Sequence, residues 1–307
     1  MPQKWWRGAT SVRLAWCLVL VAVLSGCGAS PARQEPVDDR PLVLTTFSVL
    51  ADLTDSVAGG HVRVESITKV GAEIHGYEPT PSDLVGAQDA DLILDNGLGL
   101  ERWFERFLTA VDAPHVVLSD GVEPLDIRSG DYSGRANPHA WMSPLAAQTY
   151  VDNTVEALSG LDPDHAGDFE ANGRLLKEEL ADLLAAFRAD IARVEAPALV
   201  TCEGAFSYLA RDAGLAEAFI WPVNADSEGT PRQIREVIAF VEERGVPTLF
   251  CESTVNASAQ EQVALATGAE LGGTLYVDSL SEADGPVPTF LDLIRYDLET
   301  ITEGLAR

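Results

Sequence analysis

A single apolar stripe, about eight helical turns long, lies near the middle of the chain. It opens at Asp162-Pro163, which suit the cap and first turn of a helix, and it ends before Pro197. Its apolar residues recur every three or four positions: Phe169, Leu176, Leu180, Leu183, Phe187, Ile191 and Val194. A continuous helix here would be about 50 Å long, which is long for one domain of this size. The stripe predicts a rigid linking helix over residues 162–196; two shorter helices broken at Gly173 are the alternative.

Short apolar strands alternate with helices on both sides of this stripe. The strands predicted before it are Pro41–Phe47, Arg63–Val70, Ala90–Asp95 and His115–Leu118, and those after it are Ala198–Cys202, Ala216–Trp221, Pro247–Cys251 and Glu270–Tyr276. Such alternation is typical of parallel sheets with helices on both faces. We therefore expect an α/β fold of two lobes, residues 41–161 and 197–307, each with a parallel sheet and flanking helices, joined by the long helix.

The N-terminus has the pattern of an export signal. Three basic residues precede Leu14–Leu24, an apolar run that is too short to span a bilayer and suits the core of a signal peptide. The run ends in Leu24-Ser25-Gly26-Cys27, which resembles a bacterial lipobox. That resemblance implies a signal peptide over residues 1–26, lipidation of Cys27 and an extracytoplasmic protein anchored to the cell membrane. An ordinary secretory signal is the alternative. Residues 27–40 are predicted to be a flexible tether.

The charge balance argues against nucleic acid as a partner. The whole chain has a formal net charge of −27, and without the three basic residues of the signal 18 basic side chains face 48 acidic ones, a balance of −30. Such a surface repels polyanions and attracts cations only diffusely. The charge supports solubility and selects no particular ligand.

Two cysteines remain once the signal and the anchor are set aside. Cys202 and Cys251 each end a predicted strand, and a glutamate follows each of them. Export to an oxidising compartment makes a disulfide between them plausible. Two buried free thiols are the alternative.

Two histidines lie in stiff loops beside glycine or proline. His75 belongs to the stretch Glu73–Pro81, between a predicted strand and a helix, and His139 belongs to Asn137–Pro144. Ligands of α/β sheets bind at such strand-to-helix loops. A surface histidine in a tight turn is the other interpretation.

Two acidic residues occupy comparable positions in the second half. Glu203 directly follows a predicted strand, and Asp278 follows the last one. Two imidazoles and two carboxylates form a set suited to a divalent metal ion. Spacing alone does not single these two out among 48 acidic residues.

Seven short motifs resemble the metal-specific solute-binding proteins of ABC importers, the manganese/zinc or cluster A-I group. They are Thr45–Leu50, Gly76–Pro81, Asn96–Leu100, Pro138–Trp141, Glu203–Phe206, Glu228–Pro231 and Gly272–Tyr276. The resemblance covers Pro41 to Arg307. It implies two α/β lobes bridged by one long helix, with a metal held in the cleft by His75, His139, Glu203 and Asp278. One departure is Glu73-Ile74, where many members have Asp-Pro, and it leaves the shape of that loop open.

The donor set favours manganese. Zinc-type members usually have a third histidine at the position of Glu203 and often a His-rich loop, and this chain has neither. Two carboxylates can raise the coordination number to five or six, which suits Mn²⁺ better than tetrahedral Zn²⁺. We expect Mn²⁺ first, Zn²⁺ next and Fe²⁺ third. The resemblance also implies ABC importer permease subunits as partners, and we expect a monomer.

A metal-dependent hydrolase is the main alternative class. The sequence has no Gly-x-Ser-x-Gly, His-Glu-x-x-His or P-loop motif, and Asn96–Leu100 lacks the third glycine of a dinucleotide fingerprint. Catalytic zinc usually keeps three protein ligands and a water, so four protein ligands argue against an enzyme. A structural lipoprotein or adhesin is a third class, for which the sequence specifies no partner.

Overall fold

The computed structural model describes residues 38–104, 111, 113–128, 130–223 and 229–307. The predicted signal peptide, the predicted lipidation site Cys27 and most of the tether lie outside these residues. Within them, no helix is both long enough and apolar enough to cross a bilayer.

The first lobe is built on one parallel sheet. Its strands are β1 (Leu42–Thr45), β2 (Arg63–Ser66), β3 (Leu92–Asp95) and β4 (His115–Val117), in the order β2-β1-β3-β4. Its described helices are α1 (Ser48–Ala58), α2 (Pro81–Ala87) and α3 (Pro144–Leu161). Strands β1 and β3 are buried along their whole length, as their continuous apolar sequences predict. The predicted strands are present and are mostly shorter than expected.

The predicted linking element is a continuous helix, α4 (Ala166–Ile191), of 26 residues. A short 3₁₀ turn, Pro163–His165, precedes it, so the regular helix is about 39 Å long and shorter than the stripe suggested. Its buried side is lined by Phe169, Gly173, Leu176, Leu180, Leu184, Phe187 and Ile191. Leu184 takes the buried position that the stripe gave to Leu183, because 3.6 residues per turn places it in line with Leu180 and Phe187.

The second lobe contains two pairs of parallel strands. The strands are β5 (Ala198–Glu203), β6 (Ala216–Trp221), β7 (Thr248–Glu252) and β8 (Glu270–Leu275), paired as β5-β6 and β7-β8. The helices are α5 (Ser207–Ala213), α6 (Pro231–Arg244), α7 (Ser258–Thr267) and α8 (Phe290–Leu305). Two further 3₁₀ turns, Gly130–Tyr132 and Ala140–Met142, lie in the first lobe.

Side chains join the two pairs of strands in the second lobe. The predicted disulfide Cys202–Cys251 is present and links the end of β5 to β7, with 4.9 Å between the two Cα atoms. The amide of Gln260 donates to the carbonyls of Val200 and Phe250, one on each strand. The carboxyl ends of β5 and β7 are therefore held side by side.

One hydrophobic core is shared by both lobes. It includes Leu53 of α1, Tyr150 of α3, Leu180 of α4 and Ile301 of α8, all of them completely buried. The long helix therefore packs between first-lobe and second-lobe helices. Since residues 40–307 form one compact unit, the lobes are in close contact.

Gly173 lets α4 approach α3 closely. A Cβ atom at this position would lie 2.5 Å from Cγ2 of Val155 on α3. The helix continues through Gly173, so the alternative of two shorter helices is wrong. The glycine instead permits close packing of the two helices. Elsewhere in the same helix, a Cβ at Gly167 would meet no atom within 4 Å.

This difference predicts opposite effects for the same substitution. Gly173→Ala should lower the free energy of unfolding by about 1–3 kcal/mol through overpacking. Gly167→Ala should leave it unchanged or raise it by up to about 1 kcal/mol, since alanine favours a helix without a clash. Urea denaturation of both variants measures the two values. Equal effects would show that α3 and α4 do not meet closely at Gly173.

Candidate metal centre

The loop that carries His75 is shaped by its own side chains. The Glu73 carboxylate accepts hydrogen bonds from the backbone N–H groups of His75, at 2.7 Å, and Gly76, at 2.9 Å. After the loop, Thr80 and Asp83 cap the start of α2 reciprocally. Ile74 is completely buried. Glu73-Ile74, the departure noted in the sequence, therefore forms an ordered turn in which the glutamate holds the backbone.

His139 is oriented by the asparagine two residues before it. The Asn137 side-chain oxygen accepts from the backbone N–H of His139 at 3.0 Å and contacts its ring Nδ1 at 2.9 Å. The Asn137 amide nitrogen donates to the carbonyl of Gly204 at 2.6 Å. Because this bond places the Asn137 oxygen toward the ring, Nδ1 carries the proton and the lone pair of Nε2 faces the cleft.

The two acidic residues come from the second lobe. Glu203 is the last residue of β5, and its backbone N–H donates to the Glu252 carboxyl at 3.2 Å and 3.3 Å. Asp278 follows β8, and the Thr254 hydroxyl donates to its Oδ2 at 3.3 Å. Both acidic residues are almost completely buried. Each lobe therefore contributes two side chains to one cleft.

The four side chains converge. Nε2 of His75 lies 3.0 Å from Nε2 of His139, 3.2 Å from Oε1 of Glu203 and 3.8 Å from Oδ1 of Asp278. Nε2 of His139 lies 3.4 Å from the same glutamate oxygen. One potential ligand atom from each residue lies within 4.8 Å of all the others.

These separations match the edges of a coordination polyhedron. With metal–ligand distances of about 2.1 Å, two ligands lie about 3.0 Å apart at right angles and about 3.4 Å apart at the tetrahedral angle. The residues present therefore fit one divalent cation.

Burial and mutual charge set the protonation states in the metal-free site. Burial lowers the pKa of His75, but the charges of Glu203, Asp278 and Glu73 raise it overall to about 9. Burial lowers the pKa of His139 by more than Glu203 raises it. Burial raises the pKa of Glu203, but the two imidazoles lower it further, to below its ordinary range. At neutral pH, His75 therefore holds a proton where a cation would otherwise lie.

The residues that support the four candidate ligands through hydrogen bonds, such as Glu252 and Asn137, were not identified from the sequence. Burial, followed by the charge of Glu203, raises the pKa of the Glu252 carboxyl, which accepts from the N–H of Glu203, well above its ordinary value. The sequence did contain hints of both residues. Glu252 follows Cys251 just as Glu203 follows Cys202, at the ends of two predicted strands. Asn137 lies two residues before His139, a spacing at which an asparagine side chain can accept from the backbone N–H. Cys202 and Cys251 lie close enough to Glu252 to suggest a second metal cluster, but their disulfide removes both thiolates.

Comparison with known proteins places this geometry in a family. A family model described as the periplasmic component A of the zinc-uptake complex matches residues 43–304. The iron-binding protein YfeA of Yersinia pestis is 49% identical over 284 residues, 91% of each chain. The manganese-binding lipoprotein MntA of Halalkalibacterium halodurans is 30% identical over 293 residues, 94% of this chain and 97% of that one. The solved Mn-bound periplasmic metal-binding protein of Candidatus Liberibacter asiaticus superposes with a TM-score of 0.81 at 37% identity, covering 87% of this chain and 100% of that chain.

The fold and these matches define an extracytoplasmic divalent-metal-binding component of an ABC importer. The chain belongs to the family of the zinc-uptake complex component A. The members of that family bind substrates for transporters and are not enzymes, so the hydrolase alternative is set aside.

The raised pKa of His75 predicts that a cation must displace a proton. Because a bound metal needs the neutral imidazole, metal affinity should rise about tenfold per pH unit from about pH 6 to about pH 8 and level off above the His75 pKa of about 9. Titration calorimetry in buffers with different ionisation enthalpies counts the protons, and about one per ion is expected at pH 7. In His75→Ala this proton should not be released. Wild-type binding without proton release would contradict the assignment.

Proposed function

We propose that this protein binds one Mn²⁺ through His75, His139, Glu203 and Asp278 and delivers it to the membrane subunits of an ABC importer. The observation that carries the proposal is the meeting of four potential ligand atoms, two from each lobe, within 4.8 Å of one another. We place the lobes at residues 41–161 and 197–307. We also propose that lipidated Cys27 anchors the protein and that it acts as a monomer.

Manganese is the proposed ion because of the donor set. Two nitrogen and two carboxylate donors can supply up to six ligand atoms when both carboxylates bind through two oxygens. Mn²⁺ accepts such oxygen-rich five- or six-coordinate sites, whereas zinc sites are mostly tetrahedral. Relatives whose names include manganese support the same choice.

Ferrous iron is the second candidate. The relative YfeA, at 49% identity, is named for iron binding. Fe²⁺ lies next to Mn²⁺ in the series of divalent affinities, and the same donors suit it. Zinc, which gives the family model its name, binds most sites more tightly than manganese does. Selection of manganese therefore depends on coordination geometry and on metal supply.

Delivery requires that the importer distinguish the loaded protein from the empty one. A cation that joins ligands of both lobes changes the balance of charge between the lobes and fixes their separation. We expect the core shared by α1, α4 and α8 to keep this movement small. This combination supports recognition of a locally altered cleft surface by the permease subunits.

The assignment predicts a large effect from loss of either carboxylate. Glu203→Ala and Asp278→Ala should each weaken Mn²⁺ binding by at least about 100-fold, because a hard ligand is lost from a water-poor site. Titration calorimetry gives the affinity, and circular dichroism checks the fold. Glu261→Ala, which removes an exposed acidic residue of α7, is the control for the loss of one negative charge and should bind as the wild type does.

Metal selection is tested by letting Mn²⁺, Fe²⁺ and Zn²⁺ compete for binding to the protein under anaerobic conditions. Glu203→His supplies a third imidazole and should shift the preference toward Zn²⁺ relative to Mn²⁺. Metal analysis of protein isolated without added metal shows which ion is carried. Unchanged binding in both carboxylate variants would reject the site, whereas iron in the isolated protein would favour the second candidate.

A further inference from the structure

The peptide group in front of a ligand residue determines where its side chain begins. The carbonyl of one residue and the N–H and Cα of the next lie in one plane. Hydrogen bonds to that carbonyl and to that N–H therefore fix the direction in which the following side chain leaves the backbone. In this protein, side-chain N–H groups bond the carbonyl that precedes three of the four proposed ligands: His75, His139 and Asp278.

The peptide before His75 is held at both ends. The indole Nε1–H of Trp103 donates to the carbonyl of Ile74 at 3.0 Å, and the Glu73 carboxylate accepts from the N–H of His75 at 2.7 Å. The Trp103 ring also packs edge-on against Tyr77, with 5.1 Å between the ring centres. Rotation of this peptide would break both hydrogen bonds.

The peptide before His139 is held in the same way. The Asn96 amide donates to the carbonyl of Pro138 at 3.0 Å, while Asn137 accepts from the N–H of His139. The Asn96 amide is itself oriented, because its oxygen accepts from the Tyr150 hydroxyl at 2.6 Å. Asn96 and Tyr150 are completely buried. Residues 96–103, which follow β3, thus hold the peptides in front of both histidines.

The third bond joins the lobes. Trp141, two residues after His139, donates its indole Nε1–H to the carbonyl of Val277 at 3.3 Å. That carbonyl directly precedes Asp278. Trp141 and Val277 are both completely buried. A first-lobe side chain therefore sets the position of a second-lobe carboxylate.

We propose that the N–H donors of Trp103, Asn96 and Trp141 are positioning groups that hold the ligand-bearing peptides in place before metal arrives. This inference rests on the proposed function only for its effect on metal binding. In the metal-free protein, Nε2 of His75 lies 3.0 Å from Nε2 of His139 and 3.2 Å from Oε1 of Glu203. The bonds to the preceding peptides add a backbone constraint to these side-chain contacts. Preorganisation of this kind removes the cost of assembling the ligands upon binding.

Trp103→Phe tests the hydrogen bond from Trp103 to the Ile74 carbonyl, because it removes the indole N–H and keeps an aromatic ring against Tyr77. In the metal-free protein, amide hydrogen exchange at His75 should become at least about tenfold faster, since its peptide is free to rotate. Mn²⁺ affinity should fall about 10- to 100-fold, the usual range for residues that support metal ligands. The electron paramagnetic resonance spectrum of bound Mn²⁺ should also change. Trp141→Phe should weaken Mn²⁺ binding by a similar factor.

Matched controls separate positioning from general stability. Asn96→Ala removes the amide that donates to the carbonyl of Pro138, directly before His139. Asn172→Ala removes a side-chain amide that donates to the carbonyl of Val57, away from the proposed ligands. Both should lower the melting temperature, but only Asn96→Ala should alter Mn²⁺ affinity and the spectrum of the bound ion. Should Asn96→Ala not fold, Tyr150→Phe loosens the same amide more gently and should act in the same direction.

Two results have distinct meanings. If the wild type binds no Mn²⁺, the proposed function fails. Hydrogen exchange at His75 in the metal-free wild type and Trp103→Phe still shows whether Trp103 holds the peptide before His75. If the wild type binds Mn²⁺ and Trp103→Phe retains both its exchange rate at His75 and its affinity, the inference is overturned.

Discussion

The crowding of two imidazoles and two carboxylates in one buried cleft is the constraint on which the structure depends. Charged and polar groups lose favourable contact with water when they are buried, and this loss must be offset by close partners. The His75 and His139 nitrogens are only 3.0 Å apart, and Glu203 lies beside both. A proton on His75 relieves the negative charge in the metal-free protein. A divalent cation at the proposed site would satisfy all four groups at once.

The fold keeps this arrangement by placing each proposed ligand where a strand ends or in a loop. Glu203 ends β5, Asp278 follows β8, and the two histidines lie in loops after first-lobe strands or before a helix. Loop backbone lacks the hydrogen bonds of a sheet, so side chains must supply them. Glu73, Asn137 and Glu252 accept from the N–H groups of the proposed ligands His75, His139 and Glu203. The disulfide and the shared core then hold the lobes that carry these loops.

Much of this organisation could be predicted because it follows local rules. The α/β alternation, the long helix and the helix starts at Thr80 and Thr230 follow from periodicity and capping. The Cys202–Cys251 bond followed from the compartment and the strand ends. The network behind the ligands could not be predicted, because contacts such as Trp141 to Val277 join residues that are distant in the sequence. Leu184 is buried where the apolar stripe predicted Leu183. The apolar pattern therefore does not fix which of two adjacent leucines faces the core.

The central claim is that one cation lies between the lobes and is bound by all four side chains. Anomalous X-ray diffraction at the manganese edge, from crystals grown with Mn²⁺, tests this claim most directly. The account predicts one strong peak within about 2.0–2.4 Å of Nε2 of His75, Nε2 of His139 and carboxylate oxygens of Glu203 and Asp278. A peak elsewhere, or a cleft that stays free of metal while the solution affinity is retained, would contradict it.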